Sequence, residues 1–333
     1  MTELVATTTG LFPLPDRAKT TLSDRKGHQK DDLISGDEGD DIVAAYDRVR
    51  TDLLDRQREA GLDRLVEGQA RWDDMLAHPL CVHDSVETRG IVRYYDNNNF
   101  YREPVVRGDL TFDGDLAADL ERAAEHVGSD ALQAVVPGPY SLSDLATDEH
   151  YGDEGDFLDA VADFLAEEVD AFPDLETVLL LEPSLVEHAP GDGRDAHASE
   201  AIDRVAGATD ADVVVHTFYG SLEEKVHAHL LDADVEAIGY DLVTDHDQNL
   251  YNVNEYGTKG DVALGLVDGQ NTLVESPDLI RERAEWFAEN TPGGSFDRTY
   301  VLPNTETFYL PVNRFEEKLD ALGAAVAEEE VTA

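Results

Sequence analysis

The chain has 333 residues and a formal net charge of −48, from 25 Lys and Arg against 73 Asp and Glu. That balance excludes nucleic acid and anionic membrane as expected partners, since both need a basic footprint, while 41% hydrophobic residues supply a packed core. A single cysteine, Cys81, excludes an internal disulfide framework and a Cys-based zinc site.

Acidity on this scale fits a surface adapted to molar salt, where screening suppresses self-repulsion. The opening MTELVATTTGLFPLP has no basic n-region and too short an apolar run for a signal peptide. No stretch approaches the length of a membrane span. The expectation is a soluble, cytoplasmic protein.

Short apolar strands alternate with helical spacings along the chain. The first strand is LVATTTG (Leu4 to Gly10). After it, Arg17, Lys19, Arg25, Lys26 and Lys30 concentrate cations in one segment, which reads either as a site for an anionic ligand or as a solvated basic loop. The polar stretch Asp24 to Asp41 is expected to be a mobile loop. Ile42, Tyr46, Val49 and Leu53 predict a helix stopped by Gly61. LVEGQ (Leu65 to Gln69) predicts a second strand, and Ile91 to Val106 a hairpin around an Asn-rich turn.

QAVVPGP (Gln133 to Pro139) and TVLLLEP (Thr177 to Pro183) predict strands three and four, separated by a helix through Leu158, Val161, Leu165 and Val169 that ends before Pro173. His188 to His197 reads as a polar loop. DVVVHTF (Asp212 to Phe218) is followed by helical spacing at Leu222, Val226 and Leu230; His227 and His229 on it face different sides and make a poor metal pair. AIGYDLV (Ala237 to Val243) and VALGLVDG (Val262 to Gly269) follow, then Ser276 and Pro277 as N-cap and first residue of a helix. YVLPNTE (Tyr300 to Glu306) is the eighth strand, and Leu319, Leu322 and Val326 mark the last helix.

Eight strand-helix units with apolar runs predict a parallel sheet closed as a (β/α)8 TIM barrel, with a small inserted hairpin near residues 91–106. Residues 1–326 form one barrel in this reading, and 327–333 an acidic frayed tail. The active face of such a barrel lies at the C-terminal strand ends. There the sequence places Glu67, Gln69, Glu182, His216, Tyr240, Asp241, Asp268, Gln270, Asn271, Asn304, Thr305 and Glu306. A His and several carboxylates on neighbouring strands suit acid-base work or metal binding, and equally suit loop capping.

TTTGLFPLP, GLDRLVEGQARWDDM, VVPGPYS, LLLEPSL, VVHTFYGS, AIGYDLV, LGLVDGQN and VLPNTETFYLPV, in that order, resemble the cobalamin-independent methionine synthase family. The resemblance implies methyl transfer from a methylated folate polyglutamate to homocysteine, on two related (β/α)8 halves. The catalytic half of that family binds zinc through a His, two Cys and a Glu. His216 matches its His, but Phe218 and Thr305 fall at its two Cys and Asp241 near its Glu. Gln69 stands where a substrate-holding Glu is expected, and Leu181 where an Asp precedes Glu-Pro. No metal site is therefore implied.

Local details resemble the zinc-free N-terminal half instead: YYDNNNFY (Tyr94 to Tyr101), TFYGS, LGLVDGQN and PNTETFYLPV. Arg17 and Lys19 are the nearest counterparts of the basic segment that meets the folate tail, and Gln69, Asp96, Asn98 and Asn271 join them as implied substrate-binding positions. The implied reading is a non-zinc subunit that works beside a separate zinc-bearing methionine synthase chain, handling homocysteine and a methylated folate or pterin. Two alternatives stay open: an autonomous zinc-free enzyme using His216, Asp241 and Glu182, or a structural or regulatory barrel without a small-molecule site.

Overall fold

The computed structural model describes residues 2–23, 39–95, 99–191 and 193–327. Strand β1 (Glu3–Ala6) leads into α1 (Asp16–Ser23), α2 (Asp40–Ala60) and the short α3 (His78–Cys81). A hairpin of β2 (Val86–Val92) and β3 (Tyr101–Val106) follows, then α4 (Asp115–Val127), β4 (Gln133–Pro137), α5 (Pro139–Leu145), β5 (Thr147–Asp148) and α6 (Glu154–Asp170). The second part runs β6 (Thr177–Leu181), α7 (Ser184–Glu187), α8 (Asp195–Ala206), β7 (Asp212–His216), α9 (Glu224–Leu230), β8 (Ala237–Asp241) and α10 (His246–Tyr256). It ends with β9 (Asp261–Val267), α11 (Pro277–Glu289), β10 (Arg298–Pro303) and α12 (Val312–Val326).

Seven parallel strands form one curled sheet in the order β1-β10-β9-β8-β7-β6-β4. Strands β4, β6, β8 and β9 are buried at every position, because side chains fill the barrel on one face and helices cover the other. At the bottom, Arg298 of β10 pairs with Asp212 of β7 and Asp261 of β9, tying the starts of three strands together.

The predicted second strand, LVEGQ, is corrected to a single bridge from Leu65 to Leu132. Gly68 and Gln69 take left-handed φ values of 97° and 51°, which no extended strand tolerates. The segment still closes the ring. Asp63 and Arg64 donate their N–H groups to the Ala6 carbonyl, and Gln133 N donates to the Leu65 carbonyl.

Most predicted helices stand. Gly61 ends α2 in the left-handed region, with its N–H returned to the Arg58 and Gln57 carbonyls. Ser276 caps α11 by accepting from Leu279 N at 3.2 Å. Leu222, expected on a helix, precedes α9, which starts at Glu224. The polar loop expected over 188–197 is cut short by α8, which starts at Asp195, and α2 already starts at Asp40. Of the expected mobile loop and frayed tail, residues 24–38 and 328–333 lie outside the described residues.

The hairpin is present: β2 and β3 pair antiparallel, and β3 continues parallel to β5. Tyr101, Tyr95 and Tyr94 from this hairpin meet Tyr219 and His188 in a cluster of ring contacts beside the strand ends.

Candidate functional site: the barrel mouth

His216 ends β7 and is fully buried. Its Nε2 lies 2.8 Å from the Asn304 carbonyl, and burial pushes its pKa down despite that bond and the nearby Asp241 charge. Gly239 on β8 packs so tightly on this ring that a Cβ there would collide with it.

Asp241, at the end of β8, is committed to the protein itself. Its Oδ1 accepts from Val243 N at 3.0 Å and Thr244 N at 2.8 Å, and its Oδ2 accepts from Tyr219 N at 3.1 Å. The Asn304 side-chain amide donates to both oxygens. One carboxylate thus turns the β8 end and holds Tyr219 in the left-handed region at φ 74°.

Glu182 is equally occupied. Its Oε1 accepts from Tyr140 N at 3.0 Å, and its Oε2 from Ser141 N and Ser141 Oγ at 2.8 and 2.6 Å. From the end of β6 it caps the start of α5, which follows the adjacent strand β4, and packs onto Gly138, where a Cβ would overlap it. Burial raises its pKa to about 7 against these stabilising hydrogen bonds.

Gln69 works as a staple. Its Oε1 accepts from Leu11 N at 2.7 Å, and its Nε2 donates to the Val135 carbonyl at 2.8 Å. Only an amide can do both. Beside it, Glu67 accepts from Gln69 N at 2.7 Å and lies in a buried charge network with Arg50, Asp119 and Arg71, and burial with the Asp119 charge lifts it to about 7.

The remaining predicted residues are dispersed. Arg17 and Lys19 are exposed on α1, Arg17 paired with Asp52 and Lys19 3.6 Å from Asp16. Asn271 is exposed in the β9–α11 loop, where its Oδ1 accepts from Leu273 N. Asp96 and Asn98 lie outside the described residues.

Two residues gained importance that sequence reading only gathered among polar strand ends. Asn304 links His216, Asp241 and Gly269 N in one network. Glu306, 2% exposed, takes a hydrogen bond from Thr305 Oγ1, while its Oε1 has no partner. The abrupt break after Pro303 into Asn-Thr-Glu-Thr was the signal.

The residues at the family's zinc positions do come together, but they do not fit that ion. Phe218 and Thr305 supply no thiolate, the Asp241 oxygens are taken by backbone and amide donors, and His216 Nε2 is tied to Asn304. Among the described residues, no group of three His, Cys, Asp or Glu has ligand geometry.

Residues 4–321 match the family model described as the catalytic domain of cobalamin-independent synthase. The chain belongs to the cobalamin-independent methionine synthase family. This synthase-family chain is 24% identical to the methionine synthase of Sulfolobus acidocaldarius, over 85% of this chain and 80% of the relative. It is 27% identical to the 5-methyltetrahydropteroyltriglutamate–homocysteine methyltransferase of Salinibacter ruber, over 68% of this chain but only 30% of that longer protein.

In structure it is similar to a B12-independent methionine synthase from Shewanella sp. W3-18-1 in complex with selenomethionine. The TM-score is 0.76 and the identity 16%, covering 97% of this chain and 96% of that one. A putative vitamin-B12-independent methionine synthase from Listeria monocytogenes gives a TM-score of 0.72 at 16% identity, over 98% of both chains. These likenesses establish the TIM-barrel fold. The matching family model is that of the catalytic domain, not of the zinc-free half that the hairpin and strand-end motifs led the sequence reading to expect. Among the described residues, no helix is long and apolar enough to cross a membrane.

Proposed function

We propose that this member of the methionine synthase family acts in methionine biosynthesis as a non-zinc subunit, beside a separate zinc-bearing chain. The observation that carries the reading is the mouth itself. At the family's four ligand positions stand a tied His216, Phe218, a saturated Asp241 and Thr305. Without thiolates or a free carboxylate at those four positions, they offer no ligand set that would raise homocysteine to its reactive thiolate form.

In this reading the barrel packs against its partner and helps hold the anionic methyl donor, a methylated folate or pterin. Arg17 and Arg56 border a groove of about 450 Å³ between α1, α2 and the start of α12, with Lys19 on the same helix as Arg17. Cations there would meet a polyglutamate tail as they now meet Asp52 and Asp320. The charge of −48 supports work in a salty cytoplasm.

The test is methionine formation from homocysteine and methyl-folate in molar KCl. The chain is assayed alone and then with a zinc-bearing homologue from the same source. Activity only in the mixture, with far less than one zinc per chain by elemental analysis, supports the reading. Turnover by this chain alone would show an autonomous enzyme and overturn it.

A further inference from the structure

Between β1 and β4 the ring of strands is closed by the segment after α2, which forms the Leu65 to Leu132 bridge in place of a strand. Side chains hold this segment where a ladder would otherwise do so. Gln57 of α2 donates to the Val66 carbonyl at 2.7 Å and accepts from Val66 N at 2.9 Å. Gln69 spans from Leu11 N to the Val135 carbonyl, and Glu67 Oε1 accepts from Gln69 N at 2.7 Å, so a carboxyl fixes that turn from behind.

Behind the turn lies a buried cluster of charges. Arg50 of α2 pairs with Asp119 of α4 at 2.5 Å and stands 3.5 Å from Glu67 Oε2. Arg71 pairs with Asp115 and Asp119 of α4 at 2.8 and 3.0 Å, and His78 of α3 lies 3.1 Å from Asp115. At the surface edge Arg50 also meets Asp47, which Arg122 shares.

With the Asp47 and Arg122 charges cancelling, three carboxyl groups face two guanidinium groups. A buried excess charge is costly, so the cluster balances with one proton. Glu67 has the poorest ion pair of the three. Asp115 and Asp119 each accept guanidinium N–H groups, whereas Arg50 Nε near Glu67 makes no hydrogen bond. Burial, and next the Asp119 charge, raise Glu67 from 4.5 to about 7. Glu67, Asp119 and Trp72 line a cavity of about 20 Å³, room for one water. Trp72 is 6% exposed and stacks on His78 at 4.9 Å.

We propose that Glu67 is a proton-operated latch on the barrel wall. Protonated, it leaves the cluster balanced and the segment closed between β1 and β4. Ionised, it draws water into the cavity and loosens that closure. Gln69 shares the turn, so the latch acts on a residue of the mouth. It needs neither zinc nor a partner chain, and it stands apart from the subunit reading.

The test uses the full chain carrying Trp286→Phe in constant molar KCl, which leaves Trp72 as the one tryptophan. Emission wavelength and acrylamide quenching are followed against pH. Raised from 4.5 to about 7, the carboxyl adds stability in full below pH 4.5 and loses it as pH climbs to about 7. The expected result is a red shift and at least about twofold stronger quenching on the alkaline side. Glu67→Gln in the same background has no proton to lose and should keep the acid-side signal throughout.

Should Glu67→Gln not fold, Asp119→Asn decides. It leaves two carboxylates for two guanidinium groups, so the response should disappear from the neutral range. A flat Trp72 signal through neutrality in Trp286→Phe alone would overturn the proposal. So would a response that survives Glu67→Gln or Asp119→Asn, which would place the proton on His78. Methionine formation is not part of this readout, so its failure and the failure of the latch are told apart.

Discussion

Asn304 and Asp241 meet at the barrel mouth across 63 residues of sequence, the Asn304 amide donating to both carboxylate oxygens at 3.1 and 3.2 Å. The same Asn304 accepts from His216 through its backbone carbonyl, so β7, β8 and β10 end in one knot. Substituting Asn304→Asp sets two carboxylates face to face in a buried place. The expected cost is about 2–4 kcal/mol in urea unfolding, against a smaller loss for Asn304→Ser. Equal losses would mean that the amide adds nothing beyond its volume.

Gln69→Glu restores the residue type the family expects but should weaken this chain. The new oxygen would face the Val135 carbonyl, to which Gln69 now donates at 2.8 Å. A loss of about 1–3 kcal/mol is expected from that unpaired contact. Chemical denaturation of the two proteins at neutral pH measures it.

Lys318 is 1% exposed and donates to the Leu273 carbonyl at 2.6 Å and to Glu275 at 2.7 Å, while Glu275 Oε1 accepts from Asp268 N. This pair fixes the β9–α11 loop from below. Lys318→Met strands a buried carboxylate and should cost about 3–5 kcal/mol. Adding Glu275→Gln should return a large part of it, and a double-mutant cycle in denaturant reads the coupling.

Acid titration should show two opposed contributions. Glu182, raised from 4.5 to about 7 by burial, holds its proton more tightly folded than unfolded, so its contribution is full below pH 4.5 and is lost as pH rises to about 7. His227, lowered by burial from 6.5 to about 4, contributes above pH 6.5 and loses that contribution as pH falls to about 4. Each is worth up to about 3 kcal/mol by linkage. Glu182→Gln should therefore flatten the fall between pH 4.5 and 7, and His227→Gln the fall between 6.5 and 4. Stability measured against pH for both variants checks the signs.

The sequence by itself determined the frame. Apolar runs on repeated strand-helix units specify buried parallel strands, and seven of the eight predicted strands fell into the sheet in their expected places. Gly61 and Ser276 marked helix ends because their local chemistry acts within one turn. The reduced strand at 65–69 was illegible, since its left-handed residues are imposed by the Gln69 contacts to Leu11 and Val135, 58 and 66 residues away in the chain.

The uses of the polar strand ends were decided by tertiary structure alone. Sequence shows that Glu182, His216, Asp241 and Glu306 stand at a barrel mouth, because each follows an apolar strand. It cannot show that Glu182 and Asp241 are spent on backbone N–H groups while Glu306 keeps an open oxygen. A carboxylate's capacity to accept is a property of its residue type. Which donors reach it depends on how strands and loops distant in sequence converge, and only the closed barrel brings them together.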